Sequence, residues 1–187
     1  MKHHLEVIAA VDQDHGLGKN GRLPWDLPGD LARFERLTRE TAGTERQSAV
    51  LMGRKTWQSL PHGGLPGRVN IVISRQERLP LRGAPGPAVA GGSAPRLARS
   101  LGHALAQLAE PQSGCSERAW VIGGGQIYQL ALQLPQCRRI HLTRVSGSYG
   151  CDVFFPLIDR RSWELSSTSR PQEENGIEYA FELYERR

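Results

Sequence analysis

The sequence predicts an α/β protein: a single central, mostly parallel sheet of about eight strands, flanked on both faces by about four helices, with an antiparallel hairpin near the C-terminal end. Three observations predict it. Four short runs, 5–11, 48–53, 69–74 and 119–123, read as buried strands, the first an apolar run rich in β-branched residues and continuous rather than alternating, the pattern of a strand covered on both faces, and 138–144 reads as a fifth strand. Segments with helical spacing or helix-start signals lie between them, at 28–37, 54–60 and 100–110 and again after Gly125, as parallel crossovers require. Beyond these, 163–169 and 177–184 alternate apolar and polar residues around Gln172-Glu173-Glu174-Asn175-Gly176, as an antiparallel hairpin does.

The 187 residues suit one domain spanning 1–187 with a proper core. A composition of 39% hydrophobic and 23% charged residues is that of an ordinary soluble protein, and no run approaches a membrane span or a secretory leader. Cys115, Cys137 and Cys151 have neither C-x-x-C nor metal-ligand spacing, which predicts free thiols in a reducing, cytoplasmic compartment. The formal charge of +5 comes from arginines scattered along the chain, with no basic run longer than a pair. That argues against a nucleic-acid surface and suits a field that draws in small anions.

Taken in order, LEVIAAV (5–11) is a buried strand, and the polar, glycine-rich 12–22 a mobile loop. In LPWDLPGDLARF (23–34) each proline fixes its own φ and disfavours helix before it, so the helix starts no earlier than Pro28 and Asp30 falls in its first turn. Leu27, Leu31, Phe34 and Leu37 form its inward stripe. A lone Asp there most simply complements the helix dipole. Ser48–Gly53 is a second strand that hands over at Arg54-Lys55-Thr56 to a short helix, where an anion is favoured by free N–H groups and two cations. The same residues also suit an ordinary strand-to-helix turn.

Leu65-Pro66-Gly67-Arg68 is a turn, and 69–74 a third strand ending on Ser74-Arg75; ligands of open α/β sheets bind at such strand ends. Pro80 to Pro95 is a surface loop, with 88–90 as a short strand at most. Leu97, Leu101, Leu105 and Leu108 share a helical stripe that Ser100 or Ser93 can cap. The fourth strand runs from Ala119 into Gly123-Gly124-Gly125 and a helix. This is not G-x-G-x-x-G, but three residues without Cβ let backbone pass close to a flat ligand or a pyrophosphate. Arg138–Arg144 is a fifth strand and Gly150–Pro156 a loop.

Together these segments resemble the dihydrofolate reductase family over nearly the whole chain: VIAAV, the G-x-G at Gly16–Gly18, LPWDLPGDL, MGRKTW, LPGRVNIVIS, VIGGGQIY, IHLTRV, DVFFP and the ending YAFELYERR, in this order and at these separations. The resemblance implies NADPH-dependent reduction of 7,8-dihydrofolate to 5,6,7,8-tetrahydrofolate, by hydride transfer to C6 with a proton reaching N5 through water. It implies a catalytic group of Asp30, Trp25 and Thr143: Asp30 grips the pteridine edge, Thr143 supports Asp30, and Trp25 closes the site and orders a water. Ile8, Ala9, Leu31, Phe34, Leu60, Leu65, Ile122 and Tyr128 then line the substrate side, and Arg68 pairs with the α-carboxylate of the glutamyl tail. On the cofactor side it implies Ala10, Leu17, Gly18, Gly21, Arg22, Leu23, Gly53, Arg54, Lys55, Thr56, Ser74, Arg75, Gly123, Gly124, Gly125, Gln126 and Ile127, with a cis Gly123–Gly124 peptide.

The 12–24 loop is expected to close over the nicotinamide, held by Asp152, with no metal. The resemblance further implies a monomer that also takes antifolates such as trimethoprim or methotrexate. The chain departs from the family pattern at Gln126, where some members carry Arg, in the loop 19–23, in the length of 80–95, and at Arg33, a cation expected at the pocket mouth. A related reductase acting on a ribosylated aminopyrimidine lacks the PW-x-x-P-x-D arrangement; a non-catalytic NADPH- or pterin-binding module is the remaining alternative.

Overall fold

A computed structural model of the chain describes residues 4–41, 46–60, 63–77, 94–110 and 112–187. In chain order its first elements are β1 (His4–Val11), β2 (Gly16–Gly18), α1 (Pro28–Arg39), β3 (Gln47–Gly53), α2 (Arg54–Ser59), β4 (Val69–Ile73) and β5 (Arg96–Ala98). Then come α3 (Leu101–Ala109), β6 (Cys115–Gly123), α4 (Gly125–Gln133), β7 (Cys137–Val145), β8 (Val153–Phe154), β9 (Trp163–Thr168), β10 (Gln172–Glu174) and β11 (Ile177–Arg186).

The α/β expectation is borne out. Among the described residues the main sheet runs β10-β11-β7-β1-β6-β3-β4-β5, with β9 also on β11. Every pairing from β7 through β1 to β5 is parallel, and every pairing made by β11 is antiparallel. β1 shows why its run reads as continuous: Leu5, Val7 and Val11 are fully buried on one face, while Glu6 and Ile8 are buried on the other. The first face packs under Leu101, Ala104 and Leu108 of α3 and Ile127 and Ala131 of α4. The second packs under Phe34 and Leu37 of α1 and Trp57 of α2.

Helix starts follow the local chemistry. Pro28 stands in the first turn of α1, and Ser100 caps α3 by accepting the backbone N–H of His103 at 3.1 Å. Leu97 is not on the α3 stripe as its spacing suggests: it lies in β5, opposite Val72, because the Ser100 cap begins the helix only after it. Leu31 is likewise not inward but 51% exposed, since its part of α1 faces a cleft rather than the core.

The polar stretch 12–22 is not simply a loop. Gly16–Gly18 forms β2 and pairs antiparallel with β8, inside the segment expected to be a second loop. The C-terminal hairpin also differs in its pairing. Its turn is Asn175-Gly176, both at positive φ (52° and 74°), so β10 is the hairpin partner of β11 while β9 pairs with the far part of the same strand. Of the loop expected at Pro80–Pro95, residues 80–93 lie outside the described residues, as does Ser93, the alternative cap. No helix among the described residues is long and apolar enough to cross a membrane.

Candidate active site

A cleft of about 2190 Å³ opens where β1, β3, β4 and β6 end and α1, α2 and α4 begin. Asp30 stands on one wall. Its helix has no side-chain cap at Leu27, and the N–H of Gly29 is instead taken by both carboxylate oxygens of Glu174, from β10. Asp30 Oδ1 accepts a hydrogen bond from Thr143 Oγ1 at 2.6 Å, and Thr143 is itself 1% exposed at the end of β7. Burial pushes the Asp30 carboxyl above its ordinary value; the Thr143 hydroxyl and the Arg33 guanidinium oppose this, and Glu174 adds to it.

Around Asp30 the wall is apolar and its polar groups are tied. Ile8, Leu31, Phe34, Leu60 and Ile122 face the cleft. The hydroxyl of Tyr128 donates to Ile8 O at 2.8 Å, and burial pushes its pKa up. Trp25 lies outside the wall in a cluster with Leu27, Val145 and Tyr179, its ring edge-on to Tyr149 at 5.4 Å. Its indole Nε1 is buried with no hydrogen-bond partner.

Arg68 is not on the wall either. It is 3% exposed and donates from Nη1 to Thr38 Oγ1 at 2.7 Å and from Nε to Pro66 O at 3.1 Å; burial takes its pKa down to about 10. Leu65, expected on the substrate side, does not line the cleft; it is partly buried against the cluster that holds Ile8, Trp57 and Ile122.

The far end of the cleft is bare backbone ringed by cations. The Gly123–Gly124 peptide is cis, and a Cβ at Gly123 would stand 3.0 Å from Thr56 Oγ1. Gly124 caps α4, its carbonyl accepting the N–H groups of Ile127 and Tyr128 at 2.9 and 3.0 Å. Gly53, Lys55, Thr56, Gly125 and Gln126 face the same space, as do Ser74 and Arg75 from the end of β4. Arg54 lines it too, its Nη1 donating to Gln58 Oε1 at 3.1 Å. A cradle without Cβ atoms beside three cations fits a dinucleotide carrying phosphates.

Two loops meet at the remaining edge. Asp152 Oδ2 accepts from Asn20 N, and Asp152 N donates to Gly18 O, both at 2.9 Å. Asp12 joins the same loops from below: Oδ1 accepts from Gly16 N at 2.7 Å and Asp14 N at 3.0 Å, and Oδ2 from Tyr149 N at 3.1 Å. Burial opposes its ionisation, but those bonds outweigh it and hold its pKa below the ordinary value. Ala9, Ala10, Leu17, Gly21, Arg22, Leu23 and Ile127, expected from sequence, also border the cleft. Among the described residues no group of three or more His, Cys, Asp or Glu is placed to hold a metal ion.

Arg33 is not at the pocket mouth. It turns away from the cleft wall onto β11, with Cζ 4.2 Å above the ring of Phe181. Sequence reasoning missed Glu174 altogether: nothing in Glu173-Glu174-Asn175-Gly176 signals a contact with a helix start 145 positions earlier.

The family model for dihydrofolate reductase matches residues 4–186. The chain belongs to the dihydrofolate reductase family. It is 38% identical to the dihydrofolate reductase of Mus musculus over 196 residues, covering the whole of both chains. It is also 38% identical to that of Sus scrofa, over 97% of each. Against the bifunctional dihydrofolate reductase-thymidylate synthase of Glycine max the identity is 40% over 189 residues, and there the chain spans only about a third (34%) of the relative's length. In a dihydrofolate reductase frame, three of the pieces that carried the resemblance reach one cleft: LPWDLPGDL with Asp30 and Leu31 at its acid wall, MGRKTW and VIGGGQIY at its glycine and cation end.

Proposed function

We propose that the chain reduces 7,8-dihydrofolate to 5,6,7,8-tetrahydrofolate with NADPH, as a single domain. The observation that carries this is the Thr143–Asp30 hydrogen bond of 2.6 Å at one end of a cleft whose other end is Cβ-free backbone beside Arg54, Lys55 and Arg75. NADPH, when bound, supplies the hydride that C6 of the substrate receives.

The residues of the chain do the rest. Asp30, ionised, accepts two N–H donors from the edge of the pteridine, and the Thr143 hydroxyl fixes the rotation of its carboxylate. A carboxylate in an apolar wall is costly to leave without a donor-rich partner, and a 2-amino-4-oxo edge meets that need. Ile8, Leu31, Phe34 and Ile122 hold the flat ring, and Tyr128 keeps the Ile8 carbonyl in place from behind. Trp25 sits behind the acid and guides a water toward the ring, from which N5 takes its proton. Arg68 holds the α-carboxylate of the glutamyl tail. Arg54, Lys55, Thr56, Ser74 and Arg75 hold the phosphates, and glycines 123–125 admit the nicotinamide. The loop through Gly18 and Asn20, tied to Asp152, shields the reacting atoms from bulk water.

We further place the protein in the cytoplasm as a monomer, in keeping with its three free cysteines, and expect trimethoprim and methotrexate to compete for the Asp30 end. The deciding experiment follows the absorbance of NADPH. Loss of NADPH with dihydrofolate, and none with a ribosylated aminopyrimidine, is expected. Tight binding of both ligands without turnover would make the chain a binding module instead.

A further inference from the structure

Arg33 is the charged residue beside the acid that the reaction above leaves without a task. It follows Asp30 by one helical turn, which puts their Cβ atoms about 5–6 Å apart. Its guanidinium lies 4.2 Å above Phe181, and Phe181 is the register partner of Thr143, the donor to Asp30. Arginines at a surface turn their heads to water. Here Nη1 is buried and has no hydrogen-bond partner, so the aromatic face of Phe181 holds the group, and Asp30 acts on it through charge alone.

We propose that Arg33 is a specificity-determining residue: its charge behind Asp30 makes the site select ligand edges that offer neutral N–H donors, and disfavour ligands that bring a positive charge of their own. This rests on the reading of the Asp30 end as the substrate site. Arg33 places a positive charge beside Asp30, and a neutral 2-amino-4-oxo edge is indifferent to it. A protonated 2,4-diaminopyrimidine is repelled by it in a partly buried site, where Coulomb energies exceed those in water.

The other groups facing this pair do not cancel the effect. Glu174 on β10, hydrogen-bonded by Gly29 N–H, acts in the same way in the parent and in every Arg33 variant, so its charge drops out of their comparison. Tyr128 on α4 and Tyr179 on β11 are neutral phenols whose pKa values burial pushes up. Arg36 acts on Arg33 with the same sign. Arg33 also opposes the upward push of burial on Asp30, so the carboxylate stays ionised to lower pH than it would alone.

The test is binding rather than turnover. Trimethoprim, a weak base, and pterin, a neutral 2-amino-4-oxo heterocycle, are titrated against the protein and its Arg33→Lys, Arg33→Met and Arg33→Gln variants by tryptophan quenching from pH 6 to 9. Melting curves confirm that each variant is folded, and either neutral variant suffices. Neutralising Arg33 is expected to tighten trimethoprim about ten-fold, leave pterin within about two-fold, and raise by about one unit the pH at which the decline in trimethoprim binding levels off. Arg33→Lys is expected to follow the parent protein. A trimethoprim-to-pterin ratio that does not change on neutralisation overturns the proposal, as does a lysine variant that behaves like the neutral ones, which would assign the effect to packing on Phe181. Failure of the parent protein to bind either heterocycle would instead remove the substrate-site reading itself.

Discussion

Glu174 and Gly29 stand 145 positions apart, yet both oxygens of the Glu174 carboxylate accept the Gly29 N–H, at 3.1 and 2.9 Å. The start of the helix that carries Asp30 is thus capped by the C-terminal hairpin rather than by its own Ncap residue. Replacing a side-chain cap with alanine costs about 1–2 kcal/mol, so Glu174→Ala should lower the unfolding free energy by that amount, read as a lower urea midpoint at unchanged m-value. Glu174→Gln, which keeps an acceptor, should lose less. Equal losses in the two variants would show that the charge, not the acceptor, does the capping.

Asp30 sets function against stability. Its folded pKa is raised by burial, so the folded state holds its proton more tightly than the unfolded chain does. The stability linked to Asp30 is therefore complete below the unfolded pKa and falls as pH rises through the folded one. Asp30→Asn removes that penalty, and the variant should be at least as stable as the parent at pH 7, still bind NADPH, and lose most of kcat/KM for dihydrofolate. Activity should partly return as pH is lowered, because substrate protonated by solvent needs less from the acid. Parental rates at pH 7 to 8 in the asparagine variant would remove Asp30 from the mechanism.

The part of this architecture that was legible in the sequence was written in short range. Pro28 placed the start of α1, short apolar runs marked β1, β3, β4 and β6, and MGRKTW and VIGGGQIY marked where strands hand over to helices. What was hidden is made by pairing between distant segments. β2 and β8 are too short, at three and two residues, to show any periodicity. Glu6 and His141 read as ordinary polar positions in two strands, yet across the parallel pair they form a part-buried contact of 2.7 Å beside Trp120. Leu97 matched a helical spacing by coincidence, and only the Ser100 cap assigns it to β5. Arg33 follows Asp30 closely enough to be noticed, but its turn toward Phe181 depends on a strand that begins at residue 177.

Cofactor choice should rest on Arg54. If its contact with the 2′-phosphate is charge-assisted and worth about 1.5–3 kcal/mol, Arg54→Ala should weaken NADPH roughly 10- to 150-fold while NADH changes little. Titration of both nucleotides by protein fluorescence measures this. Equal losses would reduce Arg54 to a support of the Gln58 side chain.

For Arg68 the buried bonds to Thr38 and Pro66 suggest a group held in advance for its partner. Arg68→Leu should raise KM for dihydrofolate about 10- to 100-fold at nearly constant kcat, with trimethoprim, which has no glutamate tail, bound as before. Parallel losses for both ligands, together with a lower melting temperature, would make Arg68 a structural residue of the turn before β4.

β11 supplies Phe181 beneath Arg33 and beside Thr143, carries Tyr179 into the cluster behind Trp25 and Leu27, and holds the strand that brings Glu174 to Gly29. The glycine and cation end needs none of this, since its strands and helices are complete by residue 133. The two ends of the cleft therefore draw on different stretches of the chain. Asp30 and its helix take their supports from β7 and β10, which flank β11, so loosening that one strand frees the acid end of the cleft and spares the glycine end.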